Sequence, residues 1–184
     1  MGELQRVAVR LFEERGFDRV TVEDVAAEVG VSPSTVYRHV GTKEHLVLHD
    51  PQDAVITAEL ETTLATRPPA VAFRDAAVHA LAQQEQVELF RRRVRLIFRT
   101  PSLWAAAVEQ DHRDRAGLAA GFATARGAGV PDLSDEVTAA VCLTALDVAL
   151  EHWQREEGSS LGDLIHAAFT AAFPGIGEHA PGNA

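Results

Sequence analysis

Val31-Ser32-Pro33-Ser34-Thr35-Val36-Tyr37-Arg38-His39-Val40-Gly41-Thr42-Lys43 is the stretch that decides the fold of this chain. Ser32 is a ready N-cap, since its hydroxyl can accept from the free amides of a first helical turn. Pro33 suits the first helical position, where a missing N–H costs nothing. Gly41 is a natural stop, so the spacing predicts a short helix ending near His39 or Val40. Along it Val36 points inward, while Ser34, Thr35, Tyr37, Arg38 and His39 offer hydroxyl, aromatic and cationic groups. No acidic residue occurs from Val31 to Lys43. A short, hydroxyl-rich, acid-free helix suits an approach to phosphates and base edges, and it reads as a DNA recognition helix.

Upstream, a helix is expected over residues 2–15, with Leu4, Val7, Ala8, Leu11 and Phe12 on one stripe and Gly16 as its end. Thr21-Val22-Glu23-Asp24 reads as a capping box with Asp in place of the usual Glu or Gln. It opens a second helix over about 22–29, whose inner face is Val22, Val25, Ala26 and Val29. Gly30 and Val31 then turn the chain into the Ser-Pro start of the third. Two short helices joined by a glycine turn make a helix-turn-helix, here 21–40, with the second helix offered outward.

Several runs resemble the DNA-binding domain of the tetracycline-repressor (TetR) family. They are Leu11-Phe12-Glu13-Glu14-Arg15-Gly16-Phe17, Thr21-Val22-Glu23-Asp24-Val25-Ala26, Gly30-Val31-Ser32 and Tyr37-Arg38-His39-Val40-Gly41-Thr42-Lys43-Glu44. The resemblance runs without gaps from about residue 4 to 48. It implies a DNA-binding transcriptional regulator acting as a homodimer on a pseudo-palindromic operator. It also implies phosphate contacts for Tyr37, His39 and Lys43, and base-edge contacts for Thr35 and Arg38. Thr21, Ser32 and Ser34 complete the expected DNA-binding set. Val40 stands where the family usually has an aromatic residue, which implies looser packing of that helix.

Charge bears on this reading. The net charge is −10, and residues 1–50 hold six Lys+Arg against nine Asp+Glu, so nucleic-acid contact must be local and stereospecific. Of 17 cationic residues only Lys43 is a lysine, and it opens the helix after the recognition element. A single cysteine, Cys142, excludes an intramolecular disulfide and a multi-cysteine zinc site. His45 and His49, four apart, lack a third ligand, and Glu109-x-x-His112 occurs once without a second copy, so neither metal nor cofactor is expected. No apolar stretch approaches a membrane span, and the expected location is cytoplasmic.

The expected fold class is all-α, about nine helices in total. The expected domains are a DNA-binding domain over 1–46 and a regulatory and dimerisation domain over 47–184. Pro51 should kink or break the helix capped by Thr42. Beyond it, helices are expected near 54–66, 70–83, 85–99, 101–126, 134–156 and 160–173, with Ser134 and Ser159 or Ser160 as N-caps and a frayed tail from Gly175. The last two helices would form the dimer seam through Leu143, Leu146, Leu150, Leu164, Ile165 and Phe169. Arg91, Arg92, Arg93, Arg95 and Arg99 either pair with carboxylates on a solvated or inter-domain face, or meet an anion or DNA. Arg95-Leu96-Ile97-Phe98-Arg99-Thr100-Pro101-Ser102-Leu103-Trp104-Ala105 resembles the mycofactocin-repressor-like regulatory subtype, which implies an acyl-CoA-like effector. Phe73, Phe90, Phe98, Trp104, Phe122 and Trp153, with Asp147 as a polar group, are the candidate lining of a pocket for a small apolar or amphipathic ligand. The reading weighed against a ligand-responsive repressor is a helical protein-interaction domain with a silent helix-turn-helix. A helical-bundle metal enzyme is a further alternative, but no nucleophile–base pair, phosphate loop or repeated metal motif is present, so the chain reads as a non-enzyme.

Overall fold

The computed structural model describes residues 2–175, and among these every regular element is helical. Ten α-helices follow one another: α1 (Gly2–Arg15), α2 (Val22–Val29), α3 (Pro33–Val40), α4 (His45–Leu48), α5 (Gln52–Thr63), α6 (Pro69–Ala82), α7 (Val87–Arg99), α8 (Pro101–Ala125), α9 (Leu133–Arg155) and α10 (Leu161–Ala172). About nine were expected. The additional one arises because Pro51 breaks the fourth helix outright and leaves α4 and α5 as separate pieces. Most of the tail expected to fray lies outside the described residues.

The chain forms two compact units. The first comprises Met1–Asp50 and Gln86–Val108, the second Pro51–Glu85 and Glu109–Ala184. In the first, Leu4, Ala8, Leu11 and Phe12 of α1, Val22, Val25 and Ala26 of α2, Val36 and Val40 of α3, and Leu46 and Val47 of α4 share one core. Phe17, in a single 3-10 turn after Gly16, packs edge-on to Phe12 with ring centroids 4.9 Å apart. Val40 is 7% exposed within this core, so the smaller side chain is nonetheless enclosed. The early turns of α8 add Leu103, and Leu96 and Ile97 of α7 pack against the cluster.

The second unit is built from α5, α6, α9, α10 and the later turns of α8 around Leu60, Phe73, Phe122, Cys142, Ile165 and Phe169. Phe73 stacks on Phe169 at 6.1 Å, and Phe169 on Phe173 at 5.9 Å. The capping of α9 differs from expectation. Asp132, not Ser134, is the N-cap, because Asp132 and Asp135 form a reciprocal capping box and Arg126 pairs with both carboxylates. Arg126 and the neighbouring amide hold the buried Asp135 carboxyl below its ordinary range. The residues expected at a dimer seam divide in two by burial. Ile165 and Phe169 are buried in this protomer core, and Leu143, Leu146 and Leu164 pack against it. The protomer itself therefore covers Ile165 and Phe169, while Leu143, Leu146, Leu150 and Leu164 stay half-buried.

Candidate nucleic-acid interface

The turn that presents α3 is fixed by local chemistry. The Thr21 hydroxyl accepts from the Asp24 amide at 3.1 Å, and the Asp24 carboxylate accepts from the Thr21 amide at 2.8 Å. These bonds lower the Asp24 carboxyl below its ordinary range, with the Thr21 amide the largest cause. Gly30 closes α2 in the left-handed region at φ 79°, which a residue with a Cβ rarely adopts. Ser32 then caps α3, its Oγ accepting from the Thr35 amide at 3.2 Å, with Pro33 in the first turn.

Val36 and Val40, four apart, anchor α3 to the core at 0% and 7% exposure, so the opposite face is turned outward. That face carries Ser34, Tyr37, Arg38 and His39, all exposed, with Thr35 half-buried beside them. Ser32, Ser34 and Thr35 form a hydroxyl cluster, Ser32 Oγ lying 2.9 Å from Ser34 Oγ and 2.8 Å from Thr35 Oγ1. The eight residues of α3 span about 12 Å, the width of a major groove. The expected DNA-binding residues all lie in the first unit: Ser32, Ser34, Thr35, Tyr37, Arg38, His39 and Lys43 on α3 and the turns flanking it, and Thr21 at the N-cap of α2.

Two details were not visible in the sequence. Glu23 of α2 accepts a long hydrogen bond from the Tyr37 hydroxyl at 3.4 Å. Desolvation first, then the Glu23 charge, raises the Tyr37 phenol above its ordinary range. Lys43 is half-buried, its ammonium 4.0 Å above the Phe17 ring centroid and 5.7 Å from that of Phe12. The charge assigned to a phosphate therefore rests on an aromatic shelf in the free protein.

The candidate ligand-lining residues fall in different units. Phe90, Phe98 and Trp104 belong to the first, where Phe98 and Trp104 pair at 4.8 Å with Trp104 37% exposed. Phe73, Phe122, Asp147 and Trp153 belong to the second. There Phe73 and Phe122 are core residues, and Trp153 is buried at 3% exposure. Neither unit gathers the whole set. Asp147 of α9 is half-buried and shares a hydrogen bond with Asp111 of α8. Burial, then the Asp111 charge, pushes the Asp147 carboxyl up to about 8, so it carries a proton at neutral pH. Asp111 is also raised, chiefly by burial.

Arg92 and Arg93 take the carboxylate-pairing reading, Arg92 with Glu13 and Arg93 with Asp50. His49 is the residue that ends α4, so it and His45 are not two ligands on one continuous helix. Among the described residues no group of three or more His, Cys, Asp or Glu is placed to hold a metal ion.

A capped helix-turn-helix with an exposed, acid-free second helix defines a DNA-binding regulator. Residues 4–49 match the family model of bacterial regulatory proteins of the tetR family, and residues 67–176 match the model of the MftR C-terminal domain. The chain belongs to the tetR family of transcriptional regulators, with a regulatory half of the MftR type. It is 29% identical over 175 residues to a protein of Mycobacterium tuberculosis named as a regulator of mycofactocin biosynthesis, MftR, covering 92% of this chain and 87% of that one. It is 31% identical over 139 residues to the HTH-type transcriptional regulator TcmR of Streptomyces glaucescens, covering 71% and 62%. Among solved structures, a TerR/AcrR-family transcriptional regulator from Aquifex aeolicus VF5 superposes with a TM-score of 0.54 at 16% identity, over 92% of this chain and 95% of that one. The family consists of regulators and not enzymes. No described helix is long and apolar enough to cross a membrane.

Proposed function

We propose that this chain is a ligand-responsive repressor that binds a pseudo-palindromic operator as a homodimer. The observation that carries the reading is the outward face of α3, held by Val36 and Val40 and free of acidic side chains. Arg38, with Thr35 one turn before it, reads base edges; Tyr37, His39 and Lys43 meet phosphates, and the hydroxyls of Thr21, Ser32 and Ser34 lie at the rim. Two-fold symmetry sets two such helices about 34–36 Å apart in successive major grooves. The dimer seam is the outer face of α9 and α10. Val137 and Val148 remain 51% and 44% exposed there, Thr144 lies between them, and Ala167 and Thr170 stay exposed on α10.

The effector is small and apolar or amphipathic, of the acyl-CoA-like class, and binds the second unit, where Phe73, Phe122, Trp153 and Asp147 lie. The similarity of residues 67–176 to the MftR C-terminal domain supports this assignment. Differential affinity of the effector for one dimer geometry couples its binding to release of DNA. Selection from a random duplex library tests the DNA reading: enrichment of an inverted repeat is expected, and failure to enrich any repeat refutes it. Thermal shift with acyl thioesters tests the effector. Stabilisation by these but not by aromatic cations is expected.

A further inference from the structure

The break between α4 and α5 creates a contact point that the recognition helix does not use. His49 ends α4 in an extended conformation, φ −60° and ψ 120°, and α5 begins only at Gln52. The His49 carbonyl accepts from Gln5 Nε2 of α1 at 2.8 Å and from Arg93 Nη1 of α7. The second terminal nitrogen of Arg93 pairs with the Asp50 carboxylate. Arg93 is 4% exposed, and its guanidinium carbon lies 5.1 Å from the Phe90 ring centroid. One buried side chain therefore ties α7 to the two residues at which the chain leaves the first unit for Pro51. The planar fork of arginine serves a carbonyl and a carboxylate together, which a lysine ammonium does not reproduce. A second, more exposed tie runs from Arg92 to Glu13 of α1.

We propose that Arg93 is a positioning residue for operator binding: by clamping α7 to His49 and Asp50 it fixes the exit of the chain from the DNA-binding unit. A restrained exit lets a dimer engage both half-sites together. The inference rests on the dimeric-operator reading above. A dimer gains affinity on a full operator because the second half-site is met at a high effective concentration, and that concentration falls when the geometry is loosened. The clamp touches neither base nor phosphate, so its loss affects the two-site event and spares the one-site event.

The experiment compares a full inverted-repeat duplex with a half-site duplex by fluorescence anisotropy, for wild type, Arg93→Met and Asp50→Asn. Circular dichroism and sedimentation check that each variant is folded and dimeric. Asp50→Asn keeps an oxygen acceptor toward Arg93 and is the milder variant should Arg93→Met fail to fold. Expected are half-site affinities within about threefold of wild type and a full-operator affinity lower by about 10- to 100-fold. Parallel losses on both duplexes mean that Arg93 only stabilises the fold, and unchanged affinities mean that the clamp is idle. Either result overturns the proposal. A wild type with no preference for the inverted repeat over the half-site instead overturns the dimeric-operator reading, and the clamp proposal with it.

Discussion

Lys43→Met separates two uses of one charge. In the free protein the Lys43 ammonium lies 4.0 Å from the Phe17 ring centroid and 5.7 Å from that of Phe12, rings that are 6% and 1% exposed. A cation over an aromatic face at a partly exposed site contributes about 1 kcal/mol. Methionine keeps the apolar stem against the rings and removes only the charge, so urea unfolding should show a stability loss of about 1 kcal/mol. On operator DNA the same substitution should remove the phosphate contact proposed for Lys43. The slope of log K against log salt should then fall in magnitude by about 0.9, with base preference unchanged. Lys43→Arg, which stacks on a ring and carries the same charge, should keep the slope near wild type. A salt slope unaltered in Lys43→Met would refute the phosphate contact and leave Lys43 as a structural cation. A slope that falls with no change in urea stability would show that the aromatic shelf contributes nothing net.

Tyr37→Ala should weaken binding to every duplex by a similar factor, since the hydroxyl is assigned to a phosphate; a shifted base preference in library selection would contradict that. Phe122→Ala, from a side chain 1% exposed, should cost about 3–5 kcal/mol by chemical denaturation. Trp104→Ala, from an indole 37% exposed, should cost distinctly less. Between the ordinary carboxylate range and about 8, folded Asp147 holds a proton that the unfolded chain has released. Stability should therefore fall as pH rises across that window and level off above it, and Asp147→Asn should flatten the melting temperature between pH of about 6 and about 8.5.

The elements legible in the sequence are those whose signals are local. Thr21 with Asp24, Ser32 with Pro33, and the glycines at 16, 30 and 41 each act within four residues, and each caps or stops a helix where the sequence places it. The N-cap of α9 was missed although its Asp132-x-x-Asp135 signal is equally local, because Ser134 sits beside it as a competing cap. Pro51 announces a break, but the partners of the His49 carbonyl lie 44 residues away on either side and leave no local trace. The apolar rows of α9 and α10 illustrate a different limit. Periodicity marks Leu143, Leu146, Ile165 and Phe169 as a buried face without saying whether the same chain or a second copy buries it. The aromatic residues read as pocket lining meet the same limit, since a filled core and a pocket use the same side chains.

The electrostatics of DNA binding turn on the discontinuity of the first unit. Read as contiguous sequence, residues 1–50 are acidic, six Lys+Arg against nine Asp+Glu, which opposes approach to phosphate. The compact unit also contains residues 86–108, which bring five arginines and one glutamate. The unit that carries α3 thus holds eleven Lys+Arg against ten Asp+Glu, and the remaining residues hold six against seventeen. Two of those arginines reach the carboxylates of Glu13 and Asp50, within the DNA-binding helices and at their exit. The basic cluster on α7 therefore offsets the acidity of the helices it packs on. With that repulsion offset, the contacts proposed for the few cationic and hydroxyl groups around α3 should each show a separable effect on affinity or base preference.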